Sequence, residues 1–168
     1  DFGAVQCTPQ SPNCLFCPLS GSCRALSEGK VQQLPVKQHR TKTTNRYFNY
    51  IYVRMGAHTL IHKRTEDDIW KNLFELPLVE TEKDLSEEEF LACPQFHALF
   101  AEGEVRMVRT LLRGVKHVLS HRVIYTNFYE VTLPDNSSSF SSYQRVAVED
   151  LGRYAVPRLI HAFLEKYV

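Results

Sequence analysis

The 168-residue chain has almost no excess of either charge: 20 Lys and Arg stand against 19 Asp and Glu, a formal net charge of +1. Bulk electrostatics therefore points to no nucleic-acid partner, and any such binding has to come from local clusters of Lys and Arg. No apolar run approaches the ~18 residues that a membrane-spanning helix needs, so no transmembrane segment is expected. No segment repeats, which excludes solenoids and propellers. Secretory composition is also lacking, which weighs against a disulfide framework. What remains, 43% hydrophobic and 23% charged residues, is the balance of a soluble globular protein. The length gives room for one ordinary core. The sequence does not begin with Met, and Asp1-Phe2-Gly3-Ala4-Val5 reads as the last turn of a helix. The expectation is a piece cut from a longer protein.

Four of the five cysteines fall at Cys7, Cys14, Cys17 and Cys23, a C-x6-C-x2-C-x5-C spacing interrupted by Pro, Ser, Asn and Gly. Thiolates at this density describe a loop wrapped around a soft metal centre. Ligation by four cysteines suits an iron–sulfur cluster. Structural zinc is the rival, although zinc ribbons usually present two C-x2-C pairs and this chain has one. Spacing alone leaves cluster, zinc and no metal all open. Cys93 is the odd one out and reads as a small, partly buried hydrophobe.

After the cysteines, residues 24–44 carry no sustained apolar period but do carry Lys37, His39, Arg40 and Lys42. They read as an extended tether, with solvated charge or DNA phosphates as the two readings of the cations. From residue 45 the pattern changes. Residues 47–54 are aromatic and β-branched, a strand covered on both faces, and 59–64 return as its hairpin partner after a turn at 55–58. Trp70 and Phe74 close a core, with 74–76 near a strand end before Pro77. Ser86 and Glu89 form a capping box that starts a helix, so Glu87, Glu88 and Glu89 are better explained by the helix dipole than by a metal. Pro94 interrupts, and 95–101 resume as a second helical piece. A short strand at 104–109 leads to a loop or strand entry at 116–121. Residues 122–133 alternate, with Val123, Tyr125, Asn127, Tyr129, Val131 and Leu133 on one face and Ile124, Thr126 and Phe128 on the other. A last strand at 143–148 precedes a helix that Pro157 opens at its first position, with Leu159, Ile160, Phe163, Leu164 and Tyr167 as its apolar stripe. Strands, helix, strands, helix predict an α+β sandwich.

The words around the cysteines, Asp1-Phe2-Gly3-Ala4, Cys7-Thr8-Pro9 and Pro12-x-Cys14-x-x-Cys17-Pro18, resemble the cluster loop of the MutY family of adenine-specific DNA glycosylases. Further on, Ile61-His62-Lys63-Arg64, Trp70-x-x-Leu73-Phe74-Glu75-Leu76-Pro77, Lys116-His117-Val118-Leu119-Ser120-His121 and 150–157 resemble that family's C-terminal, Nudix-like (MutT-like) module. The resemblance implies three parts: a cluster loop at 1–26, a linker at 27–44 and a lesion-recognition domain at 45–168. It implies a [4Fe–4S] cluster on Cys7, Cys14, Cys17 and Cys23. It also implies duplex DNA containing 8-oxoguanine·adenine or guanine·adenine mispairs as partner, and a monomeric, cytoplasmic, bacterial protein. Glycosylases of this kind flip the adenine and act on it with a Glu and an Asp that belong to an upstream helical domain. No catalytic residue is therefore assigned in this chain.

The same resemblance implies that Leu119, Ser120 and His121 sense the lesion while Lys116, His117 and Arg122 meet phosphates. A Ser hydroxyl both donates and accepts, so it could meet the N7–H and O8 that distinguish 8-oxoguanine from guanine. Such a bond is worth about 1–3 kcal/mol of discrimination. The plainer reading is that Ser120 and His121 only cap the entry to the strand at Arg122. Leu119 stands where the family usually has Phe, and the segment before Trp70 is more acidic and poorer in glycine than the family's. The Gly-x5-Glu-x7-Arg-Glu-x-x-Glu-Glu helix of true Nudix hydrolases is missing, so the fold is expected without its pyrophosphatase chemistry. A Nudix-type nucleotide hydrolase and a freestanding iron–sulfur protein are the alternatives.

Overall fold

The computed structural model describes residues 5–8, 11–34 and 43–168. Of the expected helix turn at 1–5, residues 1–4 lie outside the described residues and Val5 is helical; Pro9 and the basic run Lys37, His39, Arg40 and Lys42 also lie outside them. The chain divides into two compact units, Asp1–Lys42 and Thr43–Val168.

In the first unit, two single 3-10 turns, Cys14–Phe16 and Ser20–Ser22, lead into a short helix α1 (Arg24–Ser27). Amide hydrogen bonds from Cys14 to Pro12, from Cys17 to Cys14, from Ser20 to Cys17 and from Cys23 to Ser20, at 3.0–3.3 Å, wind the loop on itself. The extended path expected from residue 24 gives way to helix and turn as far as residue 34. The amide of Lys30 bonds back to Ala25 and that of Gln33 to Lys30, so local backbone bonds replace the apolar period the segment lacks.

The second unit is built on β1 (Thr44–Arg54), whose Phe48, Tyr50, Ile51, Tyr52 and Val53 are all buried, along with Asn49. Strand β4 (Leu78–Thr81) pairs antiparallel with one edge of β1, and β6 (Arg122–Thr132) pairs parallel with the other. Strand β5 (Met107–Val118) completes a four-stranded mixed sheet of order β4-β1-β6-β5. A second sheet of order β3-β2-β7 comprises β2 (His58–Lys63), β3 (Phe74–Glu75) and β7 (Gln144–Ala147).

The hairpin expected between β1 and β2 does not form. One bridge, Met55 to His58, turns the chain, after which β2 pairs with β3 and β7 instead. Both edges of β1 are already occupied, so β2 has to seed the second sheet. Gly56 permits the corner: its φ is +56°, and a Cβ there would come within 3.0 Å of the Asp135 carboxylate.

Alternation along β1 and β6 sends side chains to two cores. Phe48, Tyr50, Ile124 and Phe128 face the second sheet and α4 (Arg158–Tyr167), which buries Leu159, Ile160 and Phe163 of the expected stripe. Phe163 lies parallel to Phe128 with centroids 4.1 Å apart, and burying a side chain of this size contributes about 1.5–3 kcal/mol. Pro157 stands just before the first helical residue rather than within the helix. On the other face Ile51, Val53, Tyr129 and Val131 pack under α2 (Glu87–Leu91) and α3 (Pro94–His97) through Phe90 and Phe96, with Cys93 at the margin. Ser86 and Glu89 make the expected capping box, and Pro94 opens α3, which ends at His97.

The largest departure is β5. A short strand followed by a loop is expected, and one twelve-residue strand forms, with register shifts between Thr110 and Leu112 and between Leu112 and Val115. Bulges of this kind erase the two-residue period by which a strand is recognised. Gly114, at φ +69°, sits in the second bulge with its amide 2.9 Å from Asn127 Oδ1. The outcome is the α+β sandwich that the element order predicts.

Candidate nucleic-acid interface

Strands β5 and β6 meet in a tight turn. Val118 and Val123 form the last pair, and the Leu119 amide donates to the Arg122 carbonyl at 2.8 Å. The Thr44 amide donates to the carbonyl of His121 at 3.1 Å, tying the turn to the start of β1. Leu119 packs against the core that faces the second sheet, while Ser120 and His121 are exposed. Leucine at this position thus holds the turn to the core, and the two polar side chains face outward.

Across from the turn stands the loop 65–72, pinned by mutual bonds with Arg64: Asn72 N–H to the Arg64 carbonyl at 2.8 Å and Arg64 Nε to the Ile69 carbonyl at 3.0 Å. Trp70 and Asn72 hold positive φ there, and the Trp70 ring lies edge-on to Phe48 at 6.1 Å. Between turn and loop lies an open depression of about 470 Å³ lined by Asp67, Asp68, Ile69, Leu119, Ser120, His121 and Arg122.

Asp68 organises its electrostatics. Its carboxylate receives Arg46 at 2.5 Å, Arg64 at 3.2 Å and, closest of all, Arg122. Burial works against the charged form of Asp68, but the hydrogen bonds from Arg122 and Arg46 outweigh it and hold the carboxyl well below the usual carboxylate range. Arg46 also makes a bidentate pair with Glu80, both bonds 2.6 Å. Arg64 Nη1 donates to both oxygens of the buried Glu75, each at 2.8 Å.

The six residues expected to read lesion and phosphate do not share one surface. Leu119, Ser120, His121 and Arg122 line the depression, with Arg122 bound to Asp68. Lys116 and His117 are successive strand residues and point to opposite faces. His117 approaches Trp70, ring centroids 5.8 Å apart, and Lys116 approaches Tyr125 on the other side. The sequence reading missed Asp67, Asp68 and Ile69 as the second wall; their trace was the unusual acidity before Trp70. Of the α2 carboxylates, Glu89 is committed to the helix: it accepts from the Ser86 amide at 2.8 Å and pairs with Lys83.

In the first unit Cys7, Cys14, Cys17 and Cys23 carry free thiols and line one cavity of about 30 Å³ with Gln6, Pro12, Asn13 and Leu26. Four soft donors converging on one small space fit a thiolate-held group. Among the described residues, no group of three or more His, Cys, Asp or Glu is arranged to hold a metal ion. Also among the described residues, no helix is long and apolar enough to cross a membrane.

A four-stranded mixed sheet and a smaller three-stranded sheet, with helices packed against them, define a Nudix-type sandwich. The NUDIX domain family matches residues 49–166, and the chain belongs to that family. Its sequence is similar to adenine DNA glycosylases of Buchnera aphidicola. One, from the Acyrthosiphon pisum symbiont, is 25% identical across 99% of this chain and 46% of its own length. Another, from the Schizaphis graminum symbiont, is 35% identical across 48% of this chain and 23% of its own. The chain spans less than half the length of these relatives. The fold is similar to the C-terminal domain of mouse MUTYH, solved in complex with human PCNA, at TM-score 0.58 and 14% identity over 73% of this chain and 86% of that one. It is also similar to MutT of Aliivibrio salmonicida and Vibrio cholerae, at TM-score 0.51 and 16% identity over 73% of this chain and 95% of that one.

Proposed function

We propose that this chain is the C-terminal part of an adenine DNA glycosylase, a base-excision repair enzyme that removes adenine mispaired with 8-oxoguanine. The observation that carries the proposal is the alignment with one such glycosylase through 99% of the chain, cysteine loop and Nudix-type domain together. The parts are a cluster loop at 1–26, a linker at 27–44 and a lesion-recognition domain at 45–168. The depression between the 65–72 loop and the 119–122 turn reads the lesion, with Ser120 as the donor and acceptor and His121 beside it. Phosphate contacts fall to Lys116, on the face away from Trp70. Arg122, held by Asp68, sets the pose of the turn more than it meets DNA. Cys7, Cys14, Cys17 and Cys23 hold a [4Fe–4S] cluster, whose role when bound is to cross-link the loop. Adenine excision belongs to carboxylates outside these residues, and without the Gly-x5-Glu-x7-Arg-Glu-x-x-Glu-Glu pattern the chain hydrolyses no nucleotide pyrophosphate.

The test is equilibrium competition for the purified chain among three duplexes of one length, carrying 8-oxoguanine·adenine, guanine·adenine or only paired bases, at fixed salt. Preference for the first over the second is expected; equal affinity for all three would remove lesion reading from this domain. Iron, sulfide and zinc analysis of anaerobically purified chain tests the cluster, and stoichiometric zinc without iron would refute it.

A further inference from the structure

The sheet face that carries α2 and α3 is covered along only part of its length. Phe90 and Phe96 reach Ile51, Val53, Tyr129 and Val131, but towards the start of β1 and β6 the same face presents Tyr47, Tyr125 and Val123, which belong to neither core. Tyr47 and Tyr125 are paired across the parallel strands β1 and β6, and their rings are near-parallel, 17° apart with centroids separated by 5.4 Å. Val118, at 65% exposure, and Lys116 flank them on β5, opposite Val123 and Tyr125. Lys116 Nζ lies 6.0 Å from the Tyr125 ring, and no carboxylate is paired with it among the described residues. This surface adjoins the 119–122 turn, because the Val118–Val123 pair closes that hairpin.

We infer that Tyr47, Tyr125 and Lys116 form a stacking platform for an unstacked nucleobase of a nucleic-acid strand running beside the lesion-reading turn. Tyr47 and Tyr125 are half-buried and stacked on each other, and aromatic rings that keep part of a face in solvent stack bases whatever their sequence, because every base has a π-face. An ammonium beside the rings suits the phosphate that links such a base to the next. A protein partner is the less fitting occupant, since Lys116, the charge beside the rings, has no carboxylate partner among the described residues and the rings lie near-parallel. The inference rests on the nucleic-acid reading given above, but it concerns a surface that Ser120 and His121 do not line.

The test uses fluorescence anisotropy of the 168-residue chain with a fluorescein-labelled 15-nucleotide oligothymidylate, alongside the 8-oxoguanine·adenine duplex. Tyr125→Ala should weaken oligothymidylate binding about tenfold, and Tyr125→Phe should stay within about twofold of wild type, because the ring alone stacks. Lys116→Gln should reduce the slope of log affinity against log salt by about 0.7. Unchanged Trp70 fluorescence establishes that each variant is folded. Failure of the wild type to bind oligothymidylate, equal binding by Tyr125→Ala, or an equal loss in Tyr125→Phe overturns the platform. If lesion preference on the duplex survives any of these, the platform alone has failed; if that preference is absent as well, the nucleic-acid reading has failed with it.

Discussion

Asp68→Asn should loosen the lesion-reading depression without unfolding the domain. The substitution keeps the shape of the side chain and removes the charge that three guanidinium groups share. Two of the three have other partners: Arg46 retains Glu80 and Arg64 retains Glu75. Arg122 loses its one ion-pair partner among the described residues. Breaking a fully buried pair costs about 3–5 kcal/mol, and an exposed one about 0–1 kcal/mol. Here the Asp68 side chain is 22% and the Arg122 side chain 36% exposed, which places the loss between these limits, at about 1–2 kcal/mol. Urea denaturation followed by the fluorescence of Trp70, the one tryptophan in the chain, reads the loss beside the loop itself. A double-mutant cycle with Arg122→Gln should give a coupling of about 1 kcal/mol. Zero coupling, or a stability within about 0.3 kcal/mol of wild type, would refute the idea that this pair joins loop to turn.

Two further outcomes concern Glu75 and Glu104. Glu75→Gln should cost about 1–3 kcal/mol in urea denaturation, because it leaves the buried Arg64 guanidinium with Asp68, 3.2 Å away, as its remaining countercharge and weakens the bond from Tyr50 Oη, 3.0 Å away; the double variant with Arg64→Met should recover most of the loss, and an additive loss would contradict this. Glu104 accepts hydrogen bonds from the hydroxyls of Ser137 and Ser139 and the amide of Ser138, which pull its carboxyl down to about 2. A depressed carboxylate stabilises its loop above the ordinary carboxylate value, and that contribution fades as pH falls through about 2. Protection factors at the Ser138 and Ser139 amides, corrected for intrinsic exchange, should therefore be high at neutral pH and fall in strong acid, whereas Glu104→Gln should show low protection throughout; pH-independent protection in the wild type would contradict it.

The parts of the fold legible in the sequence were those whose signal is local. The alternation of 122–133, the Ser86–Glu89 box and the Leu159–Tyr167 stripe each follow from a period or a cap, and each forms. The partner of β2 could not be read, because which edge of β1 is free depends on β4 and β6, strands far along the chain. Strand β5 was hidden by its bulges, and with it the fact that Lys116 and His117 face apart. The site was half legible. The 119–122 turn rested on a family resemblance, whereas Asp68 owes its place to three arginines at positions 46, 64 and 122, a convergence that spacing along the chain does not encode.

The most direct measurement of the central claim is the ratio of affinities for 8-oxoguanine·adenine over guanine·adenine duplexes, compared between wild type and Ser120→Ala at one salt concentration. Loss of one discriminating hydrogen bond, about 1–3 kcal/mol, should reduce that ratio by about fivefold or more, while Lys116→Ala weakens binding to both duplexes alike and leaves the ratio unchanged. A ratio unaltered in a folded Ser120→Ala protein would mean that the turn only caps β6 and that the lesion is read elsewhere.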